Sequence, residues 1–325
     1  MILKRPELYH GQSQKRPFFE GWYHKMSSKN GETFVAIPGI YRSGINNNQT
    51  AFLMFYQGSS GKVDYIRYKV EDFQCDANSY QLKLGKNYFS LERVLLDIEH
   101  EHLNVKGEII TNNLNPWPVS LIERGCMGWY GYIPTMECFH GILSMNHTLN
   151  GHLDINKDRI SFDHGKGYIE KDWGKNFPKD WVWAQSNSFN ESELSISASL
   201  ATIPWKSYEF SGFIIGIHHK EKLYKFTTYN FAKILKIKFE DNALFWVIKK
   251  GHLQLEITIR SGRTSGLLHA PDKTDMVPKV REFLDGEISF ILKKNQEIIL
   301  EQYSDQCAVE IIGKTNRLID NAIEG

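Results

Sequence analysis

The chain has 325 residues, 41% of them hydrophobic and 24% charged, with a formal net charge of +1. Those values describe a folded protein with a substantial core, longer than one small domain, so two domains or one large β unit are expected. Near-neutrality excludes the electrostatic field that draws nucleic acid or an anionic membrane to a protein surface. The opening "MILKRPELYHGQ" has no apolar stretch of the signal-peptide kind, and no later segment approaches a membrane-spanning run. Cys75, Cys126, Cys138 and Cys307 are scattered without CxxC spacing, which reads as reduced thiols in a cytoplasmic protein.

In chain order, the first element is "FFEGWYHK" (18–25), an aromatic strand with a carboxylate inside it. A period of two puts Phe18, Glu20, Trp22 and His24 on one face. "ETFVAIPGI", "QTAFLMFYQ", "KVDYIRYKV" and "YQLKL" follow as strands, separated by Gly, Asn and Ser clusters. The texture changes at "NPWPVSLIERGCMGWYGYIPTMECF" (115–139), where Pro116, Pro118 and Pro134 argue for an ordered loop or lid. "ECFHGILSMNH" resumes the strand pattern with Cys138, His140, Ser144 and Asn146 on one face. "GYIEKDWGKNFPKDWVWAQSNSF" (167–189) holds two more strands. "ELSISASLATI", "SGFIIGIHH", "KLYKFTTYNF", "ALFWVIKK", "LQLEITIR" and "GEISFILKK" complete the set. "RTSGLLHAPDKTDMVPKV" reads as irregular, and only "NRLIDNAIEG" at the end reads as helix. The fold class is all-β, in two barrel-like or sandwich-like units over residues 1–176 and 177–325, with a cavity at or near their junction. "FFEGWYHK" and "DWVWAQSNSF" echo each other as aromatic strands with a polar residue two positions from a Trp.

The chemistry-bearing residues cluster in 167–189. If Tyr168–Trp173 is a strand, Tyr168, Glu170 and Asp172 share one face and Ile169, Lys171 and Trp173 the other. Two carboxylates two apart on one face repel, which raises one pKa and creates a proton donor near neutrality. The plainer reading is a solvated face with Lys171 as counter-ion, because strand charges ordinarily meet water. The next strand weighs against that reading: Trp181, Trp183, Gln185, Asn187 and Phe189 fall on one face, a row of aromatics and amides suited to a ligand cavity. Cys126, Cys138 and His140 match no common zinc spacing, so no metal is expected. GxSxG, P-loop, GxGxxG and HExxH motifs are all missing, which removes triad-hydrolase, nucleotide and zinc-protease readings.

The chain resembles the tocopherol cyclase family. The likeness runs through "YHGQSQKRPFFEGWYHK", "GWYGYIPTMECFHGILSMNHTLNG", "GYIEKDWGKNFPKDWVWAQSNSF", "GLLHAPDKTDMVPKV" and "CAVEIIG", covering nearly all of residues 9–313. More distantly it is similar to carotenoid 1,2-hydratases. The resemblance implies two lipocalin-like (calycin-like) β units and an intramolecular lyase, classed as an isomerase. In that reaction a prenylated quinol is cyclised to a chromanol by proton addition to an alkene. It implies no cofactor, no metal, a lipophilic prenylquinol-like partner, no nucleic acid, and at most transient contact with a membrane surface. Such a site needs a protonated acid, a cavity that excludes water and aromatic faces to stabilise a tertiary cation. Glu170 or Glu20 is then the expected general acid, with Asp172 tuning it, and Glu20 and Glu170 are expected in one shared Trp-lined cavity. Trp22, Tyr23, His140, Tyr168, Trp173, Trp181 and Trp183 would line the substrate site, with Gln185 and Asn187 orienting the hydroxyls. Plant members carry "EKNWG" where this chain has "EKDWG", so the resemblance does not itself require Asp172. Two other readings stay open: a lipocalin-like carrier that converts nothing, and an isoprenoid hydratase that admits water. Outward-facing acids would favour the carrier.

Overall fold

The computed structural model describes residues 5–12, 14–191, 193–205 and 208–324, apart from the side chains of residues 321, 323 and 324. Contacts divide the chain into two compact units. One runs up to Phe177 and adds Leu267–Lys279; the other is Pro178–Gly266 together with Val280 onward. Both are antiparallel β-structures of the sandwich kind, in which the sheet of each unit wraps one apolar core.

The first unit contains β1 (Phe18–Ser27), β2 (Thr33–Arg42), β3 (Gln49–Gln57), β4 (Lys62–Tyr68), β5 (Phe73–Cys75) and β6 (Gln81–Leu84). It continues with β7 (Asn87–Ser90), β8 (Arg93–His100), β9 (Leu103–Asn112), β10 (Cys138–Ile155), β11 (Asp158–Ser161) and β12 (Gly165–Gly174). Their order is β4-β3-β2-β1-β12-β10-β9-β8-β7-β6-β5, with β11 paired to β10. The first and last strands of this sheet thus meet in its middle, where β1 pairs with β12. β1, β2 and β3 are buried on both faces, which is why they read as near-continuous apolar runs rather than a clean alternation. One face supplies Phe18, Trp22, Phe34, Phe55, Leu96, Leu153 and Ile169 to the core. His24 lies in that interior with Nε2 2.7 Å from the Tyr80 hydroxyl, and burial pushes its pKa down to about 3. The imidazole is therefore neutral and needs only a neutral partner.

The second unit contains β13 (Trp181–Ser186), β14 (Leu194–Trp205), β15 (Tyr208–His219), β16 (Lys222–Thr227) and β17 (Lys233–Glu240). β18 (Ala243–Lys250), β19 (Leu253–Arg260), β20 (Ser265–Pro271), β21 (Met276–Lys294), β22 (Glu297–Ile312) and the helix α1 (Thr315–Glu324) complete it. The order is β16-β15-β14-β13-β22-β21-β19-β18-β17, and β20 pairs with β21. Val182, Ala184, Ile196, Ile215, Trp246 and Val309 are part of its core. Asp180 ties α1 to this sheet: its carboxylate accepts from the Lys314 amide at 2.7 Å and from Arg317 Nε at 2.9 Å.

Three sequence expectations change. "RTSGLLHAPDKTDMVPKV" is a hairpin, not an irregular stretch: Pro271 closes β20, and the Asp272 amide bonds the Asp275 carbonyl at 2.9 Å across the turn. Its tip, Leu267–Lys279, groups with the first unit, where Tyr41 Oη donates to the Asp272 carbonyl at 2.8 Å and Arg67 grips Asp275 at 2.8 and 3.1 Å. The His269 ring stacks on Tyr65 at 4.0 Å. Finally, β13 stops at Ser186, whose hydroxyl accepts from the Ser188 amide at 3.2 Å and breaks the alternation. Asn187 is buried outside the strand, and Phe189 joins the core with Val182 instead of the Trp181 face.

Candidate active site

β12 is the strand that positions the chemistry. Its pleat sends Tyr168, Glu170 and Asp172 to one side and Ile169, Lys171 and Trp173 to the other. Register does the rest: His140 of β10 stands directly across from Asp172, and Tyr23 of β1 across from Glu170. Gly174 ends the strand at φ 150°, where a Cβ would stand 2.2 Å from the Glu137 carbonyl, so only glycine lets β10 begin that close.

On the first side, Tyr168 Oη donates to Glu170 Oε2 at 2.5 Å. His140 Nδ1 lies 2.9 Å from Asp172 Oδ1, and Nε2 lies 3.7 Å from Glu170 Oε2. Tyr168 is fully buried and Glu170 only 6% exposed, while Asp172 is the most open of the group. The Tyr23 ring approaches Tyr168 edge-on at 6.5 Å. Burial opposes a charge on His140, but the Asp172 and Glu170 carboxylates outweigh it, and the pKa is pushed up to about 9. The imidazole is thus a cation at neutral pH, held between two acids. Cys126 and Cys138 lie in the same neighbourhood, the Cys126 thiol donating to the His140 carbonyl at 3.2 Å. Burial pushes both thiols up, so they stay protonated and are poor nucleophiles and poor metal ligands. Ligand atoms of His140, Glu170 and Asp172 lie within 4.8 Å of one another. A divalent cation could bridge them only by displacing the imidazolium proton, so proton and metal are alternative occupants.

This arrangement has a measurable pH signature. His140 has a folded pKa of about 9 against an ordinary 6.5. A raised cationic pKa gives stability that is whole below 6.5 and is lost as pH climbs through 9. The expected loss is of the order of 3 kcal/mol across that window. Urea unfolding at about pH 6 and about pH 9.5 checks it: the decline should be present in the parent and flattened in His140→Gln.

The second side of β12 holds a different constellation. Glu20 is 0% exposed and forms a buried ion pair with Lys171 Nζ, which is also fully buried. The His10 amide donates to both Glu20 oxygens, at 3.0 and 3.1 Å. Lys171 donates to the carbonyls of Pro6, at 3.0 Å, and Leu8, and approaches His10 Nδ1 at 2.8 Å. An ammonium can only donate, so Nδ1 carries the lone pair and the His10 proton sits on Nε2. The Lys171 charge also lies 4.5 Å from the Trp22 ring and 4.8 Å from Trp173, which stacks on His10 at 4.3 Å. Burial alone would raise the Glu20 pKa, but the Lys171 charge beside it brings it below the ordinary carboxylate value.

The acids expected together are therefore apart. Glu20 stands across from Trp173 in the β1–β12 register, and Glu170 across from Tyr23, so they occupy opposite faces of one sheet. A shared cavity for Glu20 and Glu170 is excluded, and Glu20 is an ionised anchor for the segment around 6–10. Trp22 and Trp173 belong to that anchor and not to the Glu170 cluster. Tyr23, His140, Tyr168, Glu170 and Asp172 are brought together. Trp181, Trp183 and Gln185 line the non-core face of β13 in the second unit, where Trp181 Nε1 donates to Glu310 Oε2 at 2.6 Å. Glu310 in turn stands across from Glu282, which is fully buried. Lys171, read from the sequence as a counter-ion of Glu170 and Asp172, is instead the partner of Glu20, and the sequence reading missed His10, Glu282 and Glu310, whose partners lie far off in the sequence or on a neighbouring strand.

A family model described as tocopherol cyclase-like matches residues 111–313. The chain belongs to the tocopherol cyclase-like family. The match takes in β10, β12 and β13, and hence His140, Tyr168, Glu170 and Asp172. Among family relatives, the "Tocopherol cyclase, chloroplastic" of Zea mays is 22% identical, covering 94% of this chain and 77% of its own length. The "Probable tocopherol cyclase, chloroplastic" of Oryza sativa subsp. japonica is 26% identical over 64% of this chain, but the match spans only 47% of the rice protein. The crystal structure of kievitone hydratase from Nectria haematococca superposes over 95% of each chain, with 10% identity and a TM-score of 0.47. A likeness that loose carries no inference about chemistry.

Proposed function

We propose that this protein is an acid-initiated cyclase that closes a prenylated quinol to a chromanol. The observation that carries the reading is the Tyr168–Glu170–His140–Asp172 cluster, buried at Tyr168 and Glu170 and half-buried at His140 and Asp172, which retains a proton on His140 between two carboxylates. Glu170 is the group that hands the proton on. It is buried, its orientation is fixed by Tyr168, and His140 Nε2 stands 3.7 Å from it, a gap that a modest rotation closes as the site fills. The proton adds to the less substituted alkene carbon, and the phenol oxygen bonds the tertiary cation. The phenolic proton then returns to the cluster, so no cofactor is consumed. The Tyr23 and Tyr168 rings supply π-faces toward the cationic stage. A carrier for a neutral lipid has no use for a buried acid cluster, and Glu170 is not outward-facing. No helix among the described residues is long and apolar enough to cross a membrane.

Turnover of a prenylated quinol in deuterium oxide tests the reading. The expected chromanol carries a single non-exchangeable deuterium on the carbon beside the new C–O carbon. Tight binding with no product would replace the cyclase by a carrier. A tertiary alcohol in place of the ring would replace it by a hydratase.

A further inference from the structure

We propose that the loop over residues 119–132 docks on a lipid surface of neutral, zwitterionic headgroups, beside the acid cluster. The loop is two-sided. The segment leading into it is tied to β10, where the Trp117 amide donates to the Ile142 carbonyl at 3.4 Å and the Met145 amide to the Asn115 carbonyl at 2.7 Å. Trp117, Cys126 and Met127 are buried there, with the Cys126 thiol on the His140 carbonyl.

The outer side is apolar and open to solvent. Leu121 is 73% exposed and Ile122 79%, flanked by Trp129 at 47% and Tyr132 at 43%. Scattered exposed aliphatics are ordinary, but two adjacent ones at a loop tip, bordered by amphipathic rings, form the pattern of an interfacial anchor. The tip is held in shape. Tyr132 Oη donates to the Leu121 carbonyl at 2.5 Å, and Arg124 folds back over the Tyr132 ring at 4.1 Å while donating to the Gly131 carbonyl. Order removes part of the entropy lost on insertion.

Charge decides the kind of surface. Glu123 and Arg124 are the sole charged residues from Val119 to Tyr132, and they cancel. The loop has no basic ring to pair with anionic headgroups, so its attraction is hydrophobic and insensitive to salt. The choice of lipid over a protein partner rests on the cyclase reading, whose substrate resides in an apolar phase. The same loop that bonds the His140 backbone beside the cluster then touches the phase holding the substrate.

Co-flotation of the full-length protein with phosphatidylcholine vesicles tests the proposal without any substrate, so failure here and failure of the cyclase chemistry are separate results. The expected outcome is flotation unaffected by added salt and lowered about tenfold or more in Leu121→Ser/Ile122→Ser, the loss expected from withdrawing two aliphatic side chains from the membrane. Ile298→Ser/Ile299→Ser, at an exposed pair on β22, should float like the parent. Circular dichroism verifies that both variants fold. Equal flotation of parent and Leu121→Ser/Ile122→Ser would overturn the proposal, as would binding that needs anionic lipid and vanishes in salt. A lipid-free dimer broken by the same variant, with no flotation by the parent, would assign the patch to a second copy of the chain instead.

Discussion

Glu170→Gln is expected to lower turnover by about 10²- to 10⁴-fold, the range for loss of a positioned general acid, with little change in fold or ligand retention. The amide keeps nearly the shape of the carboxyl and still accepts from Tyr168 Oη, but it cannot deliver a proton to an alkene. It also removes one of the two carboxylates that raise the His140 pKa, so the pH dependence of unfolding should weaken together with the activity. Single-turnover rates alongside ligand binding separate the chemical effect from a binding effect. Glu170→Gln with full activity would move the proton source elsewhere. Asp172→Asn should act more mildly, through His140, to which Asp172 is hydrogen-bonded at 2.9 Å.

Lys171→Met should leave that chemistry in place and damage stability. Glu20 would remain as a buried carboxylate without its cation, a loss of about 3–5 kcal/mol, or roughly 10 °C in melting temperature for a unit of this size. The carbonyls of Pro6 and Leu8 would lose their donor as well, so limited proteolysis should find the segment around 6–10 more accessible. Glu20→Gln/Lys171→Met should melt closer to the parent than Lys171→Met does, because no orphaned charge remains. Glu20→Gln that abolishes turnover at unchanged stability would return the acid role to Glu20.

Alternation along β12 was legible from the residues alone, because a strand's period of two needs no tertiary information: Glu170 and Asp172 go one way, Lys171 the other. Which way is inward was not legible. Glu20 and Glu170 look alike as acids among aromatics, yet the β1–β12 register sets them on opposite faces. The echo between "FFEGWYHK" and "DWVWAQSNSF" misleads for the same reason: Trp22 enters its unit's core, whereas Trp183 lies on the face opposite Val182 and Ala184. His140 was visible as a strand residue but not as a cation, since its charge depends on Asp172 standing across from it. The end of β13 was hidden in one Ser186 hydroxyl that competes with the ladder.

Leu267–Lys279 carries a consequence for how the chain is made. A ribosome releases the chain from the N-terminus, and early domains ordinarily fold while later ones are still being synthesised. Here the twelve strands and the apolar core of the first unit are complete by Phe177, but the segment that bonds Tyr41, stacks on Tyr65 and grips Arg67 emerges only after all of Pro178–Gly266. Nascent first units therefore wait with that surface bare. A fragment ending at Phe177 would reproduce the waiting state permanently, and peptide 267–279 added in trans is the missing piece that would release it.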